Sequence, residues 1–377
     1  MSEFWHPLVV PSYGEEETEA VLECLRTKQT TMGDRVRQFE SEFARFVGVK
    51  HAIMVNSGSS ADLLMAMLTT SPRVGRFSRN NAGEALVPAV TWPTHVWPLI
   101  MAGFRVRLVD VDPQTLNVSS DALVSAVNSE TSLVSLVHLL GNPASTGWGK
   151  LLVQEDCCEA LGARSAGRHV GSDAHAASFS FFFSHHMTTM EGGMVVTNSD
   201  GDAEELRMMR SHGWQRAVDP SSKYVFPTWG FNVRPTELQG AFGLVQLKKL
   251  PRQIEERWQI AYDVFGHCGP WLHAPVVRSD AHPSWMALPM MVDPDAPYSR
   301  DEFVRYLEAS GVETRPIVAG NLARQPIAKL LREKGLLTWD NLSGADEVHE
   351  RGLYVGLYPR MDVERLIETL KRFQGGS

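Results

Sequence analysis

Between residues 51 and 197 the chain alternates short apolar runs with helical stretches, and no other feature limits its possible folds as much. The runs lie at 51–55, 85–90, 106–111, 133–139, 151–155 and 194–197. Each has the length of a buried strand. The segments between them carry apolar residues at helical spacing, as in Leu63, Leu64, Met67 and Leu68. Strands that alternate with helices build a mostly parallel sheet covered by helices, so the expected class is α/β. Two helical patterns, at 18–24 and 36–46, precede the first strand.

After about residue 245 the pattern changes. Residues 247–265 read as one long amphipathic helix, followed by a strand near 286–291 and helices at 300–310 and 363–373. The expected division is a large α/β domain over 1–245, including the N-terminal helical segment, and a smaller α+β domain over 246–377 that begins with the connecting helix. A chain of 377 residues is long enough for both.

The net charge of −8 comes from interspersed acids, which argues against a nucleic-acid partner, since phosphate backbones need clustered basic side chains. A few local Arg or Lys residues would still suffice for a small phosphate-bearing ligand. No apolar run approaches the roughly 20 residues of a membrane span, and Glu3 and His6 interrupt any signal-peptide core. Cys24, Cys157, Cys158 and Cys268 form neither a disulfide framework nor paired CxxC zinc ligands. A cytoplasmic protein without a structural metal is expected.

Four segments carry chemistry. Asn56-Ser57-Gly58-Ser59-Ser60 lies between a strand and a helix, and reads either as a phosphate cradle on free backbone amides or as a plain N-cap turn. Trp92 follows a strand, where an indole either stacks on a flat ring or fills the core. Asp156 ends an apolar strand, the ligand-facing edge of such sheets. There it either holds a pyridinium nitrogen protonated or caps a helix. Most telling is 178–193, Ser-Phe-Ser-Phe-Phe-Phe-Ser-His-His-Met-Thr-Thr-Met-Glu-Gly-Gly, whose Ser184-His185-His186 a bland core strand would not need. Neighbouring histidines on a strand point apart and no H-x-x-x-H spacing occurs, so a metal pair is disfavoured.

In order, NSGSSA, VPAVTWPT, EDCCEALGA, SFSFFFSHHMTTMEGG and WGFNVRPTELQGAFG resemble the DegT/DnrJ/EryC1/StrS sugar aminotransferases from about Pro7 to Phe373. The resemblance implies the fold-type I, aspartate aminotransferase-like PLP-dependent architecture, with a mostly parallel seven-stranded sheet in the large domain. In that family a lysine at the position of His185 carries PLP, and no lysine lies between Lys150 and Lys223. A histidine within SHHMTTMEGG resembles one branch, the 3-dehydratases of 4-keto-6-deoxy nucleotide sugars. A related branch carries a [2Fe–2S] cluster, which normally takes four thiolates. With only these four scattered cysteines no iron–sulfur cluster is expected, and the colitose-type branch, the GDP-4-keto-6-deoxymannose 3-dehydratases, is the nearer match.

That branch implies non-covalent PLP/PMP, L-glutamate as amino donor, loss of the sugar's C3 hydroxyl and release of ammonia. His185 would be the acid/base, since imidazole is a base near neutral pH and a poor Schiff-base former. Position by position, the resemblance assigns Gly58, Ser59 and Ser180 to the cofactor phosphate, and Trp92 to its ring. It assigns Asp156 to N1 and Glu159 to the O3′ hydroxyl. Asn232 would reach the phosphate from the partner of a homodimer. His212 reads as a sugar contact or second acid/base, or as a turn histidine. Arg315 reads as an anion ligand or as half of an ion pair, and Ser184 as a substrate neighbour. Val355-Gly356-Leu357 departs from the family's Gly-Asn, so Leu357 bears on the identity of the sugar if that asparagine binds it. Two other readings stay open: a 3-dehydrase that needs a reductase or takes an unusual glycosyl nucleoside, and a lysine-free homologue that binds sugar nucleotides without catalysis.

Overall fold

The computed structural model describes residues 4–149 and 151–373. The strands of the first half are β1 (His51–Val55), β2 (Glu84–Pro88), β3 (Arg105–Val109), β4 (Thr131–Val137), β5 (Leu152–Asp156), β6 (Ala176–Ser180) and β7 (Gly193–Thr197). Those of the second half, two-residue pairings near 164–169 and 281–282 aside, are β8 (Leu272–His273), β9 (Leu288–Val292), β10 (Thr314–Pro316), β11 (Leu337–Trp339) and β12 (Gly352–Val355). Helices α1 (Glu15–Arg26), α2 (Asp34–Val47), α3 (Gly58–Leu68), α4 (Pro93–Met101), α5 (Ser120–Ala126) and α6 (Asp200–Met209) lead to α7 (Glu237–Phe265). After α7 come α8 (Arg300–Ala309), α9 (Pro326–Glu333), α10 (Ser343–Arg351) and α11 (Val363–Arg372).

The main sheet runs β1-β7-β6-β5-β4-β2-β3-β11, with only β7 antiparallel to its neighbours. Residues of β2, β6 and β7 are buried throughout, as expected where helices cover both faces. The expected seven strands become eight. The added edge strand β11 comes from beyond residue 245 and pairs in parallel with β3, Leu337 opposite Val106. Only three residues long, it carries too little pattern to be read from sequence. β6 is not among the strands expected from apolar runs, because Ser178 and Ser180 break its run although both are buried.

The long helix starts ten residues before the expected position 247. Thr236 and Gln239 form a capping box there, the Thr236 hydroxyl accepting from the Gln239 amide. Position 245 therefore lies inside α7. The second, antiparallel sheet runs β8-β9-β12-β10 and packs with α8 and α11 around Phe303, Leu307, Leu353 and Leu366. The loops after β5 and β6 face this smaller layer across a crevice.

Candidate active site

The crevice holds a cavity of about 480 Å3 at the C-terminal ends of β4, β5 and β6. Ligands of open α/β sheets bind at this edge. Gly58, Ser59, Trp92, Asp156, Glu159, Ser180, Ser184, His185 and Arg315 all line it. Nine sequence-predicted residues thus meet, although they span more than 250 positions.

At one end lies the first turn of α3. Ser57 caps it, its hydroxyl accepting from the Ser60 amide, so the N-cap and phosphate-cradle readings coexist. The Gly58 and Ser59 amides have no intrahelical acceptor, as in any first turn. A Cβ on Gly58 would come within 2.6 Å of the Ser180 Cβ, so only glycine lets α3 approach the end of β6 this closely. Ser59 Oγ lies 3.0 Å from Thr94 Oγ1. This corner is shaped for a small anion.

Asp156 lies deeper in the cavity and is buried. It caps no helix; its Oδ1 accepts from the Cys158 amide at 2.9 Å in the turn after β5. The two adjacent cysteines lie in this turn and not on a strand. Burial, then the charges of Asp156 and Asp62, hold the Cys158 thiol well above its ordinary pKa. Trp92 is 53 % exposed, so it is a cavity wall and not a core residue. Glu159 accepts from the Leu140 amide at 2.8 Å. Burial pushes its carboxyl up to about 7.

The two histidines have separate roles. His186 is buried, with Nε2 2.9 Å from the Ser284 carbonyl oxygen. His185 lines the cavity, with Nδ1 3.0 Å from Met286 Sδ. Protein packing around its ring lowers its pKa to about 4 against the opposing pull of Asp156, so the imidazole is neutral at pH 7. Both histidines lie in a turn rather than on a strand, and their ring nitrogens meet partners on one segment, Ser284 for His186 and Met286 for His185.

Arg315 sits at the mouth and pairs with Glu313 at 3.1 Å, so it joins the cavity and an ion pair together. His212 and Asn232 do not line the cavity. Both are exposed and stand side by side, Ser211 bridging to Asn232 and the His212 amide donating to the Phe231 carbonyl. His212 has φ +66°, a turn conformation. Leu357 is also off the cavity: its side chain is buried in the smaller core, and its carbonyl accepts from Arg257.

Sequence reading passes over Asp62, Met286 and Tyr354, which line the same cavity. Asp62 has a signal, since it lies one helical turn after Gly58 and shares its face. Met286 and Tyr354 have none, because only the docking of the smaller layer brings them in.

These residues fit a pyridoxal phosphate. A small-residue cradle at a helix N-terminus, an indole wall and a carboxylate at the far end match its phosphate, ring and pyridine nitrogen. No lysine lines the cavity among the described residues.

Known proteins resemble this chain over nearly its whole length. GDP-4-keto-6-deoxy-D-mannose 3-dehydratase of Yersinia pseudotuberculosis is 35% identical over 97% of this chain and 96% of its own. The Escherichia coli enzyme of that name, solved with bound hydrated PLP, superposes with a TM-score of 0.88 at 34% identity, covering 97% of this chain and 99% of its own. A GDP-4-keto-6-deoxymannose-3-dehydratase with a trapped PLP-glutamate geminal diamine also gives 0.88 at 34% identity, covering 97% and 100%. The sequence pattern of one family matches residues 11–373. With the fold, the motif order and the cavity in agreement, the chain belongs to the DegT/DnrJ/EryC1/StrS aminotransferase family.

Proposed function

We propose that the protein is a PLP/PMP-dependent 3-dehydratase of a 4-keto-6-deoxy nucleotide sugar, with L-glutamate as the amino donor. One observation carries this: a neutral imidazole, His185, lines a cavity whose shape and side chains fit the cofactor, and no lysine lines it among the described residues. The relatives named above, with PLP and a glutamate adduct in their structures, support the reading.

The cofactor supplies an electron sink and a carrier for the amino group. When it is bound, the α3 amides with Ser59 and Ser180 would hold its phosphate, Trp92 would cover its ring, Asp156 would face its ring nitrogen and Glu159 its hydroxyl. His185 would be the acid/base beside the bound cofactor, holding a proton and returning one to the sugar's departing C3 hydroxyl. An imidazole does this without condensing with the carbonyl, which leaves the position open to glutamate and then to the sugar. Arg315 and Ser184 face the substrate at the mouth.

A homodimer with shared sites completes the reading. Asn232 is supported as the residue given to a partner's site by its exposure away from its own cavity, while His212, beside it in a positive-φ turn, keeps the turn-histidine reading. A cytoplasmic location is supported by four free thiols. No helix among the described residues is long and apolar enough to cross a membrane.

The test is incubation of the protein with PLP, glutamate and GDP-4-keto-6-deoxymannose. Ammonia and a 3-deoxy ketosugar formed without a reductase are expected. An aminated sugar, a need for a reductase, or binding without turnover would each overturn the proposal.

A further inference from the structure

Met286 precedes β9 and packs against the main core, 101 positions from His185 in sequence, yet its Sδ meets His185 Nδ1 at 3.0 Å. A thioether has lone pairs and no hydrogen to give, so it can only accept. The contact is therefore favourable only when Nδ1 carries the proton. In a neutral imidazole the other nitrogen, Nε2, is then the unprotonated one.

We propose that Met286 is a positioning residue that fixes the tautomer of His185, so that the base of the reaction is Nε2. The proposal rests on the reading of His185 as the acid/base.

Three further observations agree. His185 Nε2 has no protein hydrogen-bond partner among the described residues, and it is absent from the buried orphan atoms, so it stays open to the cavity. The Met286 backbone is pinned: its carbonyl accepts from Arg257 Nη1 at 3.0 Å, and its amide donates to the Leu140 carbonyl at 3.1 Å. The same Arg257 nitrogen also donates to the Leu357 carbonyl at 2.5 Å, which ties Met286 to the strand region of the smaller sheet. Burial and the nearby Arg257 keep the ring neutral, the state in which tautomers differ.

The chemistry makes the choice matter. A histidine with its proton on Nε2 would present an N–H, not a lone pair, to a proton that must be removed. Its base function would then wait on tautomer exchange or on a ring flip. A carboxylate in place of the thioether would fix the same tautomer but would also raise the pKa and favour imidazolium. The weak sulfur acceptor selects the tautomer while leaving the ring neutral.

The test uses the full chain labelled with 15N at histidine, both cofactor-free and loaded with PMP. The His185 signals are assigned by their loss in His185→Asn, which separates them from the other twelve of the 13 histidines. Long-range 1H–15N correlations are expected to show a protonated Nδ1 and an unprotonated Nε2 at pH 7.5. Met286→Leu keeps the bulk and removes the acceptor. It should move the population toward Nε2–H and lower kcat about threefold to tenfold with KM little changed, the scale of one modest hydrogen bond. A wild-type His185 protonated at Nε2 overturns the proposal whatever the variant does. So does a Met286→Leu protein whose tautomer is unchanged. Because the tautomer is read without turnover, failure of the dehydratase assay leaves this result separately readable.

Discussion

Asp62 and Asp156 place two carboxyl groups within 4.8 Å of each other at the buried end of the cavity. Asp62 Oδ1 also accepts from the Ser178 hydroxyl at 2.5 Å. Burial, with the adjacent Asp156 charge, holds the Asp62 carboxyl well above its ordinary pKa, and the Ser178 bond only partly offsets this. Two like charges this close are not both ionised, and it is Asp62 that holds its proton.

This predicts a pH-dependent effect of Asp62→Asn on the cofactor-free protein. An aspartate titrates near 3.9 when unfolded. Above that value the folded state holds a proton that the unfolded state has lost, so wild-type stability falls as pH rises toward the folded pKa. The carboxamide of the variant has no such proton to lose. Urea denaturation should find the variant more stable than wild type at pH 7.5, with the gain shrinking toward pH 4. A difference independent of pH would contradict the assignment.

Gly58→Ala should weaken cofactor binding tenfold or more, about 1.4 kcal/mol or above. The added methyl would meet the Ser180 side chain at 2.6 Å, and the two cannot separate without moving the phosphate cradle. Titration of PLP by fluorescence quenching checks this. Wild-type affinity would show that the close approach of α3 and β6 does not shape the site.

His185→Lys restores an amine to the cavity wall. The cofactor should then resist dialysis, and borohydride reduction should add its mass to the chain. Dehydration should fall at least a hundredfold, the usual scale for loss of an acid/base group. A variant that dehydrates at the wild-type rate would remove His185 from the mechanism.

Shared sites predict complementation. Asn232→Ala and His185→Asn should each be nearly inactive alone. Refolded together in equal amounts, they should regain about a quarter of wild-type activity, because random pairing gives half mixed dimers with one intact site each. No recovery, with mixed dimers demonstrated by mass, would place Asn232 outside the partner's site.

Much of the site was readable because its chemistry lies in local motifs. A strand running into Asn56-Ser57-Gly58-Ser59-Ser60 and a strand ending on Asp156 announce themselves by period and turn chemistry. Where polarity and burial part company, reading failed: Ser178 and Ser180 are buried strand residues, and the Ser178 hydroxyl donates to Asp62, a partner that only the folded chain supplies.

The sequence alone determined the α/β class, the order of motifs and the replacement of an expected lysine by His185. These are properties of neighbours along the chain, fixed by spacing and side-chain chemistry. The tertiary structure decided which of those residues meet, and its effects are long-range. It drew β11 back to the edge of the main sheet, set Asp62 beside Asp156, and left His212 and Asn232 outside their own cavity. It also brought Met286 onto His185 from 101 positions away. A tautomer depends on one contact between distant residues, and no period in the sequence encodes it.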